Sequence, residues 1–314
     1  MPQKIKMNQE NTMTFEEGFD QFLLDCKARN LREGTIRHYS MQIKQIWKYI
    51  PKETYISELN SYIFEQYKVY LTTNTNMKDT SAYNYCRDLK TIMRFFMKRG
   101  WMEHEELKLF KVDRTPTETY TDEELLRLLR KPSIKKCNFT EYKCWVIVNF
   151  LLSTGVRSNS LIHIKVKDIE FDADTIHVNF TKTRKIVLIP MHGDIKKILQ
   201  EYIAYRKPAS EDDCLFCNEF GLPLNRSTLY HALSDYTKKR GVHKTGLHRF
   251  RHTFAKKWVQ MGGNVVTLQK ILGHSSLAIT QNYLNLLVSD MHKDVEEFNI
   301  LREFKRQTIR MNKE

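Results

Sequence analysis

Side chains able to act on a phosphodiester are spread along the second half of this 314-residue chain. An arginine can present a planar fork of donors to a phosphate whose negative charge grows in a transition state. A tyrosine can serve as a covalent nucleophile, and histidine or lysine can move protons. In chain order the set is Arg157, Lys182, His248, Arg251, His274 and Tyr283.

The order and spacing of these residues are more informative than any one of them. Arg157 lies in the sequence S-T-G-V-R, and Lys182 lies in T-K-T. An H-x-x-R pair follows at 248–251, then L-G-H at 272–274, and Tyr283 comes nine residues after the histidine. A lone H-x-x-R pair is common by chance, whereas the ordered set is not. The ordered set resembles the tyrosine recombinase (phage integrase) family over the C-terminal part of the chain.

The resemblance implies a role for each residue. Arg157 and Arg251 would hold the non-bridging oxygens of the scissile phosphate, and His248 would hydrogen-bond that phosphate or assist proton transfer. His274 matches the second histidine or tryptophan of the family, which supports the phosphate and the nucleophile. His252 is expected to pack beneath the site.

Tyr283 is the expected nucleophile. A free phenol has a pKa of about 10, so its attack requires a base or cationic surroundings, which the arginines and histidines supply. Lys182 is implied to be the general acid that protonates the leaving 5′ oxygen. Lys185 is the alternative, because register at a hairpin tip is loose.

The resemblance implies a 3′-phosphotyrosine intermediate and a free 5′ hydroxyl. The phosphoester retains the bond energy, so rejoining requires neither ATP nor a metal ion. The sequence contains no P-loop pattern and no carboxylate cluster suited to a divalent metal. We therefore expect neither a cofactor nor a metal site.

One position departs from the family pattern. The family usually has an acidic residue three places after the first arginine, where this chain has Ser160. That carboxylate supports the active-site arginines. Ser160 or Asn159 could replace it by hydrogen bonding.

Hydrophobic periodicity predicts a protein that is mostly α with a small antiparallel β-sheet. Three short strands are predicted at 168–171, 175–180 and 185–190, and the last two form a hairpin with Lys182 at its tip. Together with the resemblance, this predicts an N-terminal helical core-binding domain and a C-terminal tyrosine-recombinase catalytic domain. The expected segments are a disordered lead-in at 1–13, the helical domain at 14–110, a linker at 111–119, and the catalytic domain at 120–314 with an oligomerisation helix at about 289–307.

Composition favours a polyanionic partner. The chain has 51 Lys and Arg against 37 Asp and Glu, a formal charge of +14, and such an excess favours nucleic acid through counterion release. No apolar run is long enough to span a membrane, and the N-terminus lacks a secretory signal. We therefore expect a cytoplasmic protein, associated with the nucleoid when bound to DNA, whose six cysteines are reduced.

Basic residues on the predicted helices could contact the phosphates of a duplex, although solvated helix faces carry the same residue types. The candidate DNA-binding residues are Arg37, Lys44, Lys78, Arg87, Lys90, Arg94 and Arg249. A second motif, the C-x-x-C of residues 214–217, is isolated, and it favours a short strand leading into a turn over a zinc site.

The resulting hypothesis is a site-specific recombinase or integrase of a mobile genetic element, acting on double-stranded DNA. The C-terminal helix would join four copies at synapsis, with a possible accessory DNA-bending or directionality factor. The alternatives are an Xer-type resolvase of chromosome or plasmid dimers, a nicking-closing topoisomerase, and a catalytically silent DNA-binding protein on the same scaffold.

Overall fold

The computed structural model describes residues 13–73, 76–113, 117–181, 184–274, 276 and 280. It divides the chain into two compact units, Met1–Pro116 and Thr117–Glu314. Lys182, Tyr283, the predicted helix at about 289–307 and nearly all of the predicted lead-in lie outside the described residues.

The described residues of the N-terminal unit form four α-helices around an aromatic core. Thr14 caps the first helix, since its hydroxyl accepts from the Glu17 amide and the Glu17 carboxylate accepts from the Thr14 amide. The fourth helix ends at Gly100, which has a φ of 73°. The helices are α1 (Phe15–Ala28), α2 (Glu33–Ile46), α3 (Ser61–Thr73) and α4 (Asp79–Arg99).

Helix α2 is shorter than its apolar pattern predicts. The pattern continues to Ile50 and the following proline, but the helix ends at Ile46. The amides of Tyr49 and Ile50 both donate to the Ile46 carbonyl, so the chain closes into turns there. Ile50 is nevertheless buried, because a turn can bury an apolar side chain as well as a helix can.

The C-terminal unit is organised around one buried helix, α6 (Phe139–Thr154). The described part of this unit also contains α5 (Asp122–Leu129), α7 (Ser158–Leu161), α8 (Gly193–Arg206), α9 (Arg226–Lys239), α10 (Leu247–Gln260) and α11 (Val265–Leu272). Helix α6 is buried on all sides, and α5, α8, α9 and α10 pack against it.

The predicted antiparallel sheet is confirmed, with shorter strands. Its order is β1 (Ile169–Glu170), β2 (Thr175–Val178) and β3 (Val187–Pro190), and Ile176 pairs with both Ile169 and Ile189. These three isoleucines are buried and fix the register. The strand predicted near Cys214 is wrong, because that segment forms only isolated bridges, from Cys214 to Lys165 and from Cys217 to Pro223.

The mostly helical class with a small antiparallel sheet is therefore confirmed. Within the described part of the chain, no helix is long and apolar enough to cross a membrane.

Gly155 tests how tightly the end of α6 is packed. Its φ is +60°, and a Cβ at this position would lie 2.4 Å from Phe254 Cδ1 and 2.8 Å from Leu272 Cδ2. Gly155→Ala should therefore lower the free energy of unfolding by about 2 kcal/mol or more, measured by denaturant titration. The matched control is Gly193→Ala, where a Cβ meets nothing within 4 Å and the change should be within about 1 kcal/mol. Equal stability of the two variants would contradict the prediction.

Candidate active site

The end of helix α11 supplies the central acceptor of the site. The last carbonyls of a helix lack partners within that helix, and Leu272 is the last residue of α11. Gly273 adopts a φ of 59°, and the amide of His274 turns back to the Gln269 carbonyl at 3.1 Å. The L-G-H sequence thus ends the helix and leaves the Leu272 oxygen open to side-chain donors.

Arg251 of α10 joins the ends of two helices. Its Nη1 donates to the Gly155 carbonyl at the end of α6, and its Nη2 donates to the Leu272 carbonyl, both at 2.8 Å. The residue is only 6% exposed. A buried cation is costly unless hydrogen-bonded, and the negative ends of two helix dipoles satisfy it here.

Arg157 donates to the same acceptor. It follows the end of α6 and precedes α7, and its Nη1 donates to the Leu272 carbonyl at 3.2 Å. The two predicted phosphate-binding arginines, distant in sequence, therefore meet at one backbone oxygen.

His274 lies beside Arg251, with its Nε2 2.8 Å from Arg251 Nη2. Its Nδ1 is 2.8 Å from Thr280 Oγ1. Burial, then the charges of Arg251 and Arg157, lower the pKa of His274 to about 4. The imidazole is therefore neutral at pH 7.

His248 lies near the start of α10, one turn before Arg251, and is partly accessible to solvent. Partial desolvation is the largest cause that lowers the pKa of His248, followed by the charges of Arg251, Arg226 and Arg157. Sequence analysis did not identify Arg226, which begins α9 and is exposed. The sequence alone does not indicate that this arginine, which follows the N-cap residue of α9, lies near His248.

His252 is half-buried one turn further along α10. Its pKa is lowered by burial first and then by His248 and the neighbouring arginines. Its packing position beneath the site stays a prediction.

Ser160 stands where the family usually has an acidic residue. It is buried, and its backbone amide donates to the Arg157 carbonyl at 2.8 Å, which closes the turn of α7. The Asn159 carbonyl is 2.7 Å from His163 Nδ1. The Arg157 guanidinium donates to the Leu272 carbonyl, so a backbone oxygen contributes to its orientation in this chain.

The residues on either side of Lys182 are held by several contacts. Thr181 is buried and its hydroxyl donates to the Lys185 carbonyl at 2.5 Å. Asn179 donates to the buried Asp168 at 2.7 Å, and the Phe180 ring stacks on His163 with centroids 4.0 Å apart. Strands β2 and β3 therefore form the predicted hairpin around the lysine, which is itself outside the described residues.

Five of the six candidate DNA-binding residues in the N-terminal unit are exposed on its helices or immediately before one. They are Arg37, Lys44, Lys78, Arg87 and Arg94. Arg37 also pairs with Glu33 at 3.1 Å along α2, an exposed pair of small energetic value.

Arg87 and Lys90 have partners that tie parts of this unit together. Arg87 is exposed and donates to the buried Asp88, whose second oxygen is 2.7 Å from His38 Nε2. Lys90 donates to the Leu107 carbonyl, and burial lowers the pKa of Lys90. Both residues thus help to hold the fold of this unit.

Arg249, a predicted DNA contact, has intramolecular partners. Its side chain is 18% exposed and forms an ion pair with Glu118 at 3.5 Å. It also donates to the Glu118 carbonyl and lies 6.0 Å from the centre of the Tyr120 ring. The polar sequence pattern could not reveal this role, because the partners lie more than a hundred residues away in the chain.

Comparisons with known proteins identify sequences related to this chain. The sequence profile of the phage integrase family matches residues 118–289, and that of the phage integrase SAM-like domain matches residues 14–112. The tyrosine recombinase XerC of Leptospira interrogans is 26% identical over 264 residues, which cover 82% of this chain and 85% of the relative.

Two solved structures share the fold. The Tn1549 transposon integrase, in complex with transposon right end DNA, has a TM-score of 0.73 at 19% identity and covers 86% of this chain and 94% of its own. A lambda integrase tetramer bound to a Holliday junction has a TM-score of 0.69 at 18% identity, covering 88% and 79%. With two arginines and two histidines assembled in the order of the motif, and a family match over more than half of its length, this chain belongs to the phage integrase family of tyrosine recombinases.

Proposed function

We propose that this protein cuts and rejoins double-stranded DNA at specific sites through a 3′-phosphotyrosine intermediate. The observation that carries the proposal is the convergence of Arg157 and Arg251 on the Leu272 carbonyl, with His248 and His274 beside them. Several donors held together in a partly buried site can stabilise a phosphate that gains charge. The charges that lower the pKa of His248 are all arginines, so the site favours an anion.

Each residue has one step in the proposed reaction. The Tyr283 oxygen forms a bond to the scissile phosphorus while the bond to the 5′ oxygen breaks. The phenol proton is lost, with His248 as a candidate to assist its transfer, and Lys182 gives a proton to the departing 5′ oxygen. Arg157 and Arg251 hold the non-bridging oxygens, and His274 supports the phosphate. Rejoining is the same sequence in reverse, with a 5′ hydroxyl attacking the phosphotyrosine.

We propose that the N-terminal helical unit binds the duplex. Its match to the SAM-like domain and its exposed basic side chains support this role. We further propose that the chain forms a tetramer at synapsis through the segment at about 289–307. The lambda integrase structure, a tetramer bound to a Holliday junction, supports this assembly.

The genetic role has two candidates. The first is integration or excision of a mobile genetic element. The second is resolution of chromosome or plasmid dimers, which is favoured by the match to XerC along most of both chains. The two roles use the same chemistry and differ in the DNA site, so the choice of substrate distinguishes them.

The first prediction concerns the nucleophile. Nicked suicide duplexes from the ends of the gene's own locus, and from the dimer-resolution site of the host chromosome, should trap a protein–DNA adduct on a denaturing gel. Tyr283→Phe should abolish the adduct and keep DNA binding, because only the attacking oxygen is removed. Tyr205→Phe is the control, since this exposed tyrosine of α8 should be dispensable. An adduct that persists in Tyr283→Phe would assign the nucleophile elsewhere, and tight binding by wild type with no adduct on any site would favour the silent binder.

The second prediction concerns Arg157. Arg157→Lys keeps the charge and loses the planar fork, so the rate of adduct formation should fall by about 10²–10³-fold. DNA affinity, measured by fluorescence anisotropy, should stay close to that of wild type because many other contacts supply it. Arg130→Lys, at an exposed helix end, is the control. A rate within about threefold of wild type would remove Arg157 from the proposed phosphate site.

The third prediction concerns pH. The folded protein keeps His274 neutral down to a pKa of about 4, whereas its ordinary value is 6.5. The folded state therefore binds this proton less readily than the unfolded state. The stability that neutral His274 contributes to the folded state is complete above pH 6.5 and is lost as pH falls towards 4. Denaturant titrations across this window should show a shallower decline for His274→Gln than for wild type, by less than about 1.4 kcal/mol per pH unit. Parallel curves for the two proteins would show that His274 is not held neutral by the fold.

A further inference from the structure

The helix that carries His248 has a glycine at its N-cap. Helix α10 starts at Leu247, and Gly246 before it has no side chain that could accept from the first amides of the helix. His248 lies in this first turn, whereas Arg251 lies one turn further on. The amides of a first turn have no acceptors within the helix, so that turn is the easiest part to fray. The position of His248 therefore depends on contacts from other parts of the chain.

Tyr120 makes two such contacts, one on each side of the first turn of α10. Its hydroxyl donates to the Lys244 carbonyl at 3.2 Å, two residues before the N-cap. Its backbone amide donates to Thr253 Oγ1 at 3.1 Å, in the second turn of the helix. The two contact points therefore enclose the part of the chain that contains both His248 and Arg251.

Tyr120 is fixed in place by buried neighbours. Tyr120 and Phe250 are both buried, and their ring centroids lie 4.8 Å apart. Thr253 is buried too, and its hydroxyl donates to the Arg249 carbonyl at 2.9 Å while it accepts from the Tyr120 amide. Burial raises the pKa of the Tyr120 phenol, so the hydroxyl stays protonated at neutral pH. The phenol is therefore a fixed donor at the entry to α10.

Lys244 has a second partner at the start of α5. Its ammonium donates to the Glu124 carboxylate at 3.4 Å, and the same carboxylate accepts from the Thr121 amide at 2.8 Å in the capping box of α5. This ion pair is partly exposed, and such pairs contribute little to stability. The hydrogen bond from the buried Tyr120 is therefore the stronger of the two constraints on the loop before α10.

We propose that Tyr120 is a positioning residue for His248: it holds the entry to α10 and thereby keeps the imidazole in place at the phosphate site. The inference rests on the proposed function and specifies what aligns the group that assists proton transfer. Arg251 does not depend on this support, because the carbonyls of Gly155 and Leu272 hold it. Loss of the Tyr120 hydroxyl should therefore displace His248 and leave Arg251 in place.

The test compares two buried tyrosines that make the same kind of hydrogen bond. Tyr120→Phe removes the hydroxyl and keeps the ring. The matched control is Tyr236→Phe, because Tyr236 is also 3% exposed and its hydroxyl also donates to a backbone carbonyl, that of Leu128, at 2.7 Å. Each substitution deprives one carbonyl of its phenol donor, so both should lower thermal stability by similar amounts. They differ in whether that carbonyl lies at the entry to α10 or at Leu128.

The first measurement is the pKa of His248 in the full chain, from an NMR pH titration of the histidine signals. The signals of His248 are assigned by their absence in His248→Gln, which is needed because the chain has 11 histidines. In wild type the pKa should lie below the ordinary 6.5, because of partial burial and the charges of three nearby arginines. Tyr120→Phe should raise this pKa towards 6.5, and Tyr236→Phe should leave it unchanged. A pKa that is the same in wild type and in Tyr120→Phe would overturn the proposal.

The second measurement is the rate of adduct formation on the nicked suicide duplex at saturating DNA, with DNA affinity measured separately. Tyr120→Phe should lower this rate about tenfold or more at unchanged affinity, and Tyr236→Phe should stay within about threefold of wild type. Equal rates in the two variants, whether normal or reduced, would overturn the proposal. Failure of the proposed function would look different, because wild type would then give no adduct while the titration still reports the environment of His248.

Discussion

The active site depends on one backbone oxygen, the carbonyl of Leu272. Both arginines of the motif donate to it, and it is available because α11 ends there and Gly273 turns the chain away. A second helix end supplies the Gly155 carbonyl, so Arg251 is stabilised by the unpaired carbonyls and the dipoles of two helices. A carbonyl oxygen carries only a partial negative charge, so these hydrogen bonds hold the arginines without cancelling their positive charge.

Much of this arrangement could be predicted from the sequence, for identifiable reasons. Helix α6 is long and apolar and is followed by a glycine. The sequence therefore predicts that Arg157 lies just after the end of this helix. The hairpin around Lys182 is marked by two short segments rich in β-branched residues, at 175–178 and 186–189. The H-x-x-R spacing places His248 and Arg251 on one face of a helix. In the structure Arg251 lies beside His274, and the charge of Arg157 acts on His248.

The rest could not be predicted, because it depends on backbone atoms and distant partners. A carbonyl oxygen has no residue type, so the sequence could not indicate that Leu272 joins the arginines. The charge of Arg226 acts on His248, and Arg249 pairs with Glu118. Both interactions depend on which distant segments of the chain meet in the fold. The apolar pattern predicts a longer α2, because this pattern continues through the turn that follows the helix. In each case tertiary structure decided between local alternatives that had similar residue patterns.

The hydrogen bonds of Arg251 to two helix ends also affect how related sequences should be interpreted. Its guanidinium fastens the end of α6 to the end of α11, so it supports the folded structure whether or not DNA is ever cut. A related protein that had lost catalytic activity and retained only DNA binding would still need this arginine to stabilise its fold. Retention of Arg251 in a related chain is therefore poor evidence of activity. The informative positions are those that only the chemistry requires, above all the tyrosine that forms the covalent bond.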